Sequence, residues 1–485
     1  MNRFHGLLAS CAVSASVGFV SSQTPVCQAI PTTSDPLPTG QIAISPPSVP
    51  AGETAIDPAN VVTEGTLFPP DCKTPGTRST LTGDWFGLRP RLQDRGVTFE
   101  GNITQFGFGI GGGIDRLPPG LPLPFQFGDR FSYTGRGDYA LTFDLEKFGG
   151  MPHGKLLVRA QHWFGEYGNV GLSTGALPPA IFPAVLPPTV NQQGIPYLTD
   201  FVFTQPLSKE WIVYAGKKNV IGAADQDDFA GGNGTFQFMN QAFVANPAFL
   251  LALPYTSFTA GVASPRDWGM VSAFVYDPQD RTRDVFNVGD LFSQGVIVGG
   301  ELKVKTNFLS QPGEQHFGGI WKHVELTDLR FNEPPPGVYP YPTVPGFATL
   351  GDSYTIYYGF DQYLQVYSED SKRGWGVFGR ASLSDGNPTP FRYFVSFGIG
   401  GYSPIRQKQG DAFGIGVYYT GVSREFGPIP RALFAPRDGW GMELYYNFQL
   451  TPWMNVSPDV QIIRPESSAL ADMAYIGGIR MNLRF

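Results

Sequence analysis

The chain has 485 residues and a formal net charge of −7, and only 15% of its side chains are charged, well under the roughly 25% of an ordinary soluble domain. Aromatic residues reach 14%, with 39 Phe and 21 Tyr, beside 61 glycines. The acidic balance without a basic stripe excludes nucleic acid as a partner. Past the N-terminus no apolar run reaches the ~18 residues of a transmembrane helix.

Residues 1–29 read as a secretory signal peptide. Arg3 gives the positive start, Leu7 to Val20 the apolar stretch, and Cys27-Gln28-Ala29 the small residues of a cleavage site. Leu8-Ala9-Ser10-Cys11 also resembles a lipoprotein box, although the apolar stretch before Cys11 is very short and continues after it. Residues 30–78 are rich in Pro, Thr, Ser and Gly without apolar periodicity, and read as a disordered or extended periplasmic segment. Cys27 and Cys72 flank that stretch and are able to pair in an oxidising compartment, but no structural role is expected of them and no metal spacing exists.

Residues 79–96 are expected to hold a short N-terminal helix. Thr82 or Asp84 is a candidate cap, Trp85, Leu88 and Leu92 recur on one face, and Gly96 stops it. Pro90 falls early in the stretch, so the helix either begins near Leu88 or is broken there.

From Val97 the apolar period changes to two. Val97, Phe99, Gly101 and Ile103 alternate with Thr98, Glu100, Asn102 and Thr104; Trp440, Met442, Leu444 and Tyr446 alternate with Glu443 and Asn447. Such stripes, about nine to eleven residues long with aromatics at their ends, suit tilted strands with one face to lipid and one to water. About sixteen are expected, starting near Val97, Tyr139, Leu156, Thr199, Trp211, Thr256, Gly269, Gly295, His316, Tyr354, Trp375, Phe391, Phe413, Trp440, Met454 and Tyr475. The odd-numbered connections are mostly long and the even ones mostly short, apart from the short stretch Asp385 to Pro390. The fold class is therefore all-β: a transmembrane antiparallel up-and-down β-barrel over 79–485, with a water-filled lumen. Its last strand ends on Phe485, with Tyr475, Ile479, Met481, Leu483 and Phe485 in one row towards lipid and Arg480, Asn482 and Arg484 in the lumen row.

Several stretches resemble the carbohydrate-selective, OprB-type porins. They are Leu81-Thr82-Gly83-Asp84-Trp85-Phe86-Gly87-Leu88-Arg89 with Arg95-Gly96-Val97, Phe143-Asp144-Leu145-Glu146-Lys147, Ala215-Gly216-Lys217 with Phe238-Met239-Asn240, Leu444-Tyr445-Tyr446-Asn447 through Thr451-Pro452-Trp453, and Gly478 to Phe485. The resemblance implies passive diffusion of mono- and small oligosaccharides across the outer membrane, with carbohydrate solutes and outer-membrane lipid as partners. The terminal aromatic of the last strand resembles the signal read by the barrel-assembly machinery. A homo-oligomer is compatible with the sequence, and no cofactor is implied. A general or differently selective porin, or a largely structural barrel plugged by its N-terminal helix and its Pro-rich loops near 117–124 and 177–188, are the alternatives.

A neutral sugar offers hydroxyls and an apolar ring face, so a sugar pore needs charged hydrogen-bond partners and aromatic surfaces that bind weakly enough to release. On the lumen phase the candidates are Glu100, Asp144, Glu146, Arg159, Gln161, Trp163, Glu301, Lys303, Asp361, Arg380, Arg392 and Glu443. The long connection from Lys218 to about Tyr255 is the third outer loop and carries Asp225, Gln226, Asp227 and Asp228; the third loop of general porins folds inward and narrows the pore, so the resemblance implies that this one is the candidate constriction loop. Its aspartates supply hard oxygen atoms, but their spacing lacks a full calcium-loop pattern, and no metal is expected. His316 and His323 sit on opposite faces of one strand and have no ligand spacing. No G-x-S-x-G elbow or phosphate loop occurs, so no enzyme is expected.

Overall fold

The computed structural model describes residues 78–116, 129–166, 170–185, 194–220, 225–330, 348–367, 373–406 and 410–485. The expected signal peptide, all but the last residue of the segment 30–78 and the Pro-rich stretch 117–124 lie outside them.

The first helix, α1, spans Leu88–Asp94, the later of the two starts allowed by Pro90. The backbone explains why it begins no earlier. Gly83, Trp85, Phe86 and Gly87 all have positive φ, between 54° and 80°, which a right-handed helix cannot contain. Neither Thr82 nor Asp84 is the cap. Gly87 is, without a side-chain bond, while Asp84 Oδ1 accepts from the Phe86 N–H at 3.1 Å.

Sixteen strands then follow in an unbroken meander. They are β1 (Val97–Ile114), β2 (Arg130–Asp144), β3 (Lys155–Gly165), β4 (Tyr197–Ser208), β5 (Trp211–Asn219), β6 (Thr256–Arg266), β7 (Gly269–Tyr276) and β8 (Gly295–Phe308). The second half is β9 (Gln311–Thr327), β10 (Thr349–Val366), β11 (Gly374–Ser384), β12 (Phe391–Tyr402), β13 (Ala412–Val422), β14 (Gly439–Thr451), β15 (Met454–Arg464) and β16 (Ala471–Arg484). Every neighbour pairs antiparallel and β16 returns to β1, with Asn102 opposite Arg484, so the sheet closes with no free edge. Pairs β4–β5, β6–β7, β8–β9 and β14–β15 are joined by two residues each. In the turn after β8 both residues, Leu309 and Ser310, have positive φ (55° and 58°), the geometry that matches strand twist in a two-residue hairpin.

Several strands are longer than the expected nine to eleven residues; β1 and β10 have 18. The largest difference in a start is at β2, which begins at Arg130 rather than Tyr139. Glycines hid it. A Cβ at Gly135 would lie 2.1 Å from the Phe164 ring, and one at Gly137 2.2 Å from His162. Each glycine leaves room for an aromatic ring of β3 to lie across the strand.

Burial is inverted relative to a soluble protein. Leu444 is 45% exposed while its neighbour Glu443 is fully buried, and Ile479 is 54% exposed while Arg480 is fully buried. The outer wall is the apolar one, as lipid contact requires. No helix among the described residues is long and apolar enough to cross a membrane.

Short helices lie in the long connections: α2 (Val170–Ser173) and α3 (Phe182–Val185) between β3 and β4, α4 (Gln241–Val244) and α5 (Pro247–Ala252) between β5 and β6, and α6 (Pro428–Phe434) between β13 and β14. The β5–β6 connection folds inward. Residues of this segment and of the β3–β4 connection build three apolar clusters against the lumen wall.

Candidate functional site: the lumen and its inward loop

The inward loop has local reasons for its shape. Asn240 caps α4, its Oδ1 accepting from the Ala242 N–H at 3.0 Å. Asn246 caps α5 in the same way through Ala248, at 3.1 Å, and Pro247 takes the first helical position, where its missing N–H costs nothing. Asp227 Oδ1 accepts from the Phe229 and Ala230 N–H groups at 3.1 and 2.5 Å. Two short capped helices and a side-chain-closed turn thus make a compact unit out of 225–255.

That unit is fastened to the wall by side chains from many strands. Glu301 of β8 accepts from the Asp225 N–H at 2.8 Å and from the Tyr357 hydroxyl at 3.0 Å. Asp361 of β10 accepts from the Asp228 N–H at 3.2 Å. Tyr363 donates to Asp228 Oδ2 at 3.0 Å. Glu443 of β14 accepts from both the Met239 and Asn240 N–H groups, at 2.6 and 2.9 Å. Gln461 of β15 accepts from the Asn240 amide at 3.1 Å. Arg480 of β16 donates to the carbonyls of Gly234, Phe236 and Gln237 at 2.6 to 2.9 Å. Lys303 donates to the Gln226 carbonyl and to Glu314, both at 2.9 Å.

Arg380 of β11 is the central fastener. It is 2% exposed. Its guanidinium lies 2.7 Å from Asp227 Oδ2 and 3.6 Å from Asp225 Oδ1, and it donates to the carbonyls of Phe243, Ala230 and Asp225 at 2.5, 2.9 and 3.3 Å. His316 of β9 lies 3.2 Å from the same Asp225 oxygen. Arginine suits this place because one planar, permanently charged group serves carboxylates and carbonyls together. Asp225 and Asp227 are therefore engaged by protein cations.

The structure divides the sequence candidates by position. Glu301, Asp361, Arg380 and Glu443 are buried and hold the loop. Gln226 lies within the loop, its Oε1 accepting from the Gly232 N–H at 2.6 Å. A second network forms on β2 and β3. Gln161 is buried, donates to Asp138 Oδ1, and accepts from the Tyr255 hydroxyl at 2.8 Å and the Asn219 amide at 3.3 Å. Arg136 donates to the same Asp138 oxygen at 2.7 Å and lies 5.9 Å from the Trp163 ring. Trp163 donates its indole N–H to the Pro183 carbonyl at 3.0 Å. Arg159 lies 3.8 Å from Asp200, with 11% of its side chain still open.

The remaining candidates stand apart. Glu100 is half-buried on β1. Asp144 is at the end of β2, where its Oδ1 accepts from the Glu146 N–H at 3.2 Å. Glu146 itself lies beyond the strand and accepts from the His153 N–H at 2.9 Å. Arg392 donates to the Val422 carbonyl at 3.0 Å. Arg136, Asp138, His316 and Gln461 are lumen residues that the sequence candidates do not include. Arg480 was visible as a lumen-row arginine. His316 carries no signal, because its partner is 91 residues away.

No residue of α1 is buried, and the residues just before it meet the outward row of β1. Trp85 packs on Phe99, their rings 5.2 Å apart, and Phe99 belongs to the outward row of β1.

A search of curated proteins found no match. The high-pH structure of Pseudomonas putida OprB aligns with a TM-score of 0.68 and 17% identity, covering 85% of this chain and 100% of that one. The low-pH structure of the same protein aligns at 0.50 and 15%, covering 84% and 99%. At these identities the two likenesses speak for the shared barrel fold. The family model described as "Carbohydrate-selective porin, OprB family" matches residues 129–485. With β2 to β16 and the whole inward loop inside that match, the chain belongs to the OprB family of carbohydrate-selective porins.

Proposed function

We propose that the chain sits in the outer membrane and lets neutral mono- and small oligosaccharides pass by facilitated diffusion, without catalysis or an energy source. The observation that carries this reading is the loop 225–255, drawn across the lumen and fastened to β8, β10, β11, β14, β15 and β16 by hydrogen-bonded side chains. A rigid loop narrows the pore to a fixed cross-section. The buried charges within it are bound by one another and by backbone groups, which keeps the loop in one place.

In this reading the residues have two jobs. Glu301, Asp361, Arg380 and Glu443, with Asp225, Gln226 and Asp228 on the loop, set the shape of the constriction. Glu100, Asp144, Arg159 and Trp163, with Gln161 behind them, line the path on the β1–β3 side. Arg159, partly open, supplies donors to sugar hydroxyls, and Trp163 supplies ring surface. Contacts of this kind are individually weak, as conduction requires.

Liposome swelling tests the proposal. Proteoliposomes should swell faster in a neutral monosaccharide than in a charged solute of equal size. Equal rates for both would leave a general porin instead.

A further inference from the structure

The barrel seam between β1 and β16 is covered from outside at one end. β16 stops at Arg484, opposite Asn102, so Val97 to Gly101 run past the closing strand. Residues 80–89 fill that place. The Leu81 N–H donates to the Arg484 carbonyl at 2.8 Å. Arg89 donates to the Phe485 carbonyl oxygen at 2.7 Å and to Thr80 Oγ1 at 2.9 Å. The Arg484 N–H in turn donates to the Trp453 carbonyl at 2.8 Å, which puts the segment at the end of the barrel that carries the two-residue turns.

This segment continues the lipid-facing wall. The even-numbered residues Thr104, Phe106 and Phe108 of β1 are buried in the lumen. The odd-numbered ones point outward, where a Cβ on Gly107 would meet the outward Phe131 ring at 3.2 Å. Phe99 is in that outward row. Trp85 packs on it, and the Arg89 guanidinium lies 4.6 Å from the Trp85 ring and 5.8 Å from the Phe99 ring. Beyond Trp85 the segment turns apolar side chains away from the protein altogether. Leu81 and Leu88 are exposed, and Phe86 is 104% exposed.

That exposure is held in place. Trp85 and Phe86 both have positive φ, 54° and 59°, a conformation that side chains other than glycine rarely adopt. The Asp84 carbonyl accepts from the Gly87 and Arg89 N–H groups, both at 3.1 Å, and fixes it. Around this apolar tip the stretch 78–95 has four arginines, 78, 89, 91 and 95, against two aspartates, 84 and 94. A basic segment with an aromatic and aliphatic tip is the composition of an interfacial lipid contact.

We propose that residues 80–89 are an interfacial anchor for the phospholipid leaflet at the short-turn end of the barrel. Phe86, Leu88 and Leu81 enter the acyl boundary, Trp85 sits at headgroup depth, and Arg91 and Arg95 face anionic lipid headgroups. The anchor thereby pins the seam on which closure of the barrel depends. The inference rests on the reading of the chain as an outer-membrane barrel.

Nitroxide labelling of the full chain tests it. Cys11, Cys27 and Cys72 are replaced by Ser, and single labels are placed by Phe86→Cys, Gln93→Cys and Ile479→Cys. The samples are vesicles of phosphatidylethanolamine and phosphatidylglycerol. The ratio of collisions with oxygen to collisions with a nickel chelate should be severalfold higher at 86 than at 93, and close to that at the outer-wall position 479. A ratio at 86 equal to that at 93 overturns the anchor. An aqueous ratio at 479 overturns the barrel-in-membrane reading instead. Spin–spin broadening at 86 would assign the patch to a second copy, and equal shielding from both relaxants would assign it to residues 1–77; either result also overturns the anchor. Arg91→Glu with Arg95→Glu should lower the ratio at 86 in phosphatidylglycerol vesicles and leave it unchanged in phosphatidylcholine vesicles. The same drop in both would overturn the role of the headgroups' negative charge.

Discussion

Arg380 shows how much one buried charge is asked to do. It faces two carboxylates and three carbonyls of the inward loop, with no part of its side chain in contact with solvent. Removing one member of such a set leaves the others buried without a counter-charge, at a cost of about 3–5 kcal/mol. Arg380→Leu should therefore release the loop, giving a larger and noisier single-channel conductance and a lower melting temperature. Unchanged traces would show that the loop is held elsewhere. Glu443→Gln is a gentler probe. The carboxylate accepts two N–H bonds, and an amide of the same shape accepts through only one oxygen, so one bond is lost at about 1–3 kcal/mol. The melting temperature should fall by less than in Arg380→Leu. Both residues were legible in the sequence as lumen charges, because a period of two places them there. Their role as fasteners was not legible, since their partners lie 203 to 204 residues away for Glu443 and 137 to 155 for Arg380.

At the scale of the element, the closing strand and the loop ends carry the predictions. The Phe485 N–H donates to the Gly101 carbonyl at 2.8 Å, and its own carbonyl oxygen accepts from Arg89 at 2.7 Å. Deleting Phe485 removes both bonds and the terminal aromatic. The yield of the heat-modifiable, folded band in cells should drop, and an unchanged yield would contradict the assembly role proposed for this residue. Beyond the end of β9, the Arg330 guanidinium and the Asn387 amide bind Asp328 at 2.7 to 3.1 Å, and they hold its carboxyl well below the usual carboxylate range. A folded-state value below the unfolded one adds stability above the ordinary carboxylate pKa, and that stability is lost as pH falls through the folded value. Amide exchange at Leu329, whose N–H donates to Asn387 at 2.9 Å, should accelerate in strong acid. Asp328→Asn should show the faster exchange already at neutral pH. Most strand starts were legible from alternation; β2 was not, because Gly135 and Gly137 carry no side chain to mark a face.

Across the whole molecule, the lumen is less polar than a water-filled barrel suggests. Phe378 of β11 is fully buried, with the loop rings of Phe238 and Phe243 at 5.4 and 6.2 Å. The loop is thus glued to the wall by an aromatic cluster as well as by charges. Phe378→Ala should cost about 3–5 kcal/mol, read as a lower denaturation temperature in detergent together with raised conductance. A fall in stability with conductance unchanged would separate the cluster from the constriction. Local periodicity was enough for the sequence alone to determine a closed barrel of about sixteen strands and its outward and inward rows. Lipid outside and water inside impose one alternation on every strand, and each residue shows it within its own neighbourhood. Only the tertiary structure decided which lumen residues fasten the loop, where apolar clusters fill the interior, and that the 80–89 segment lies on the outer face of the seam. Those outcomes depend on partners far apart in the chain, and closure of the sheet brings them together at distances that no local pattern encodes.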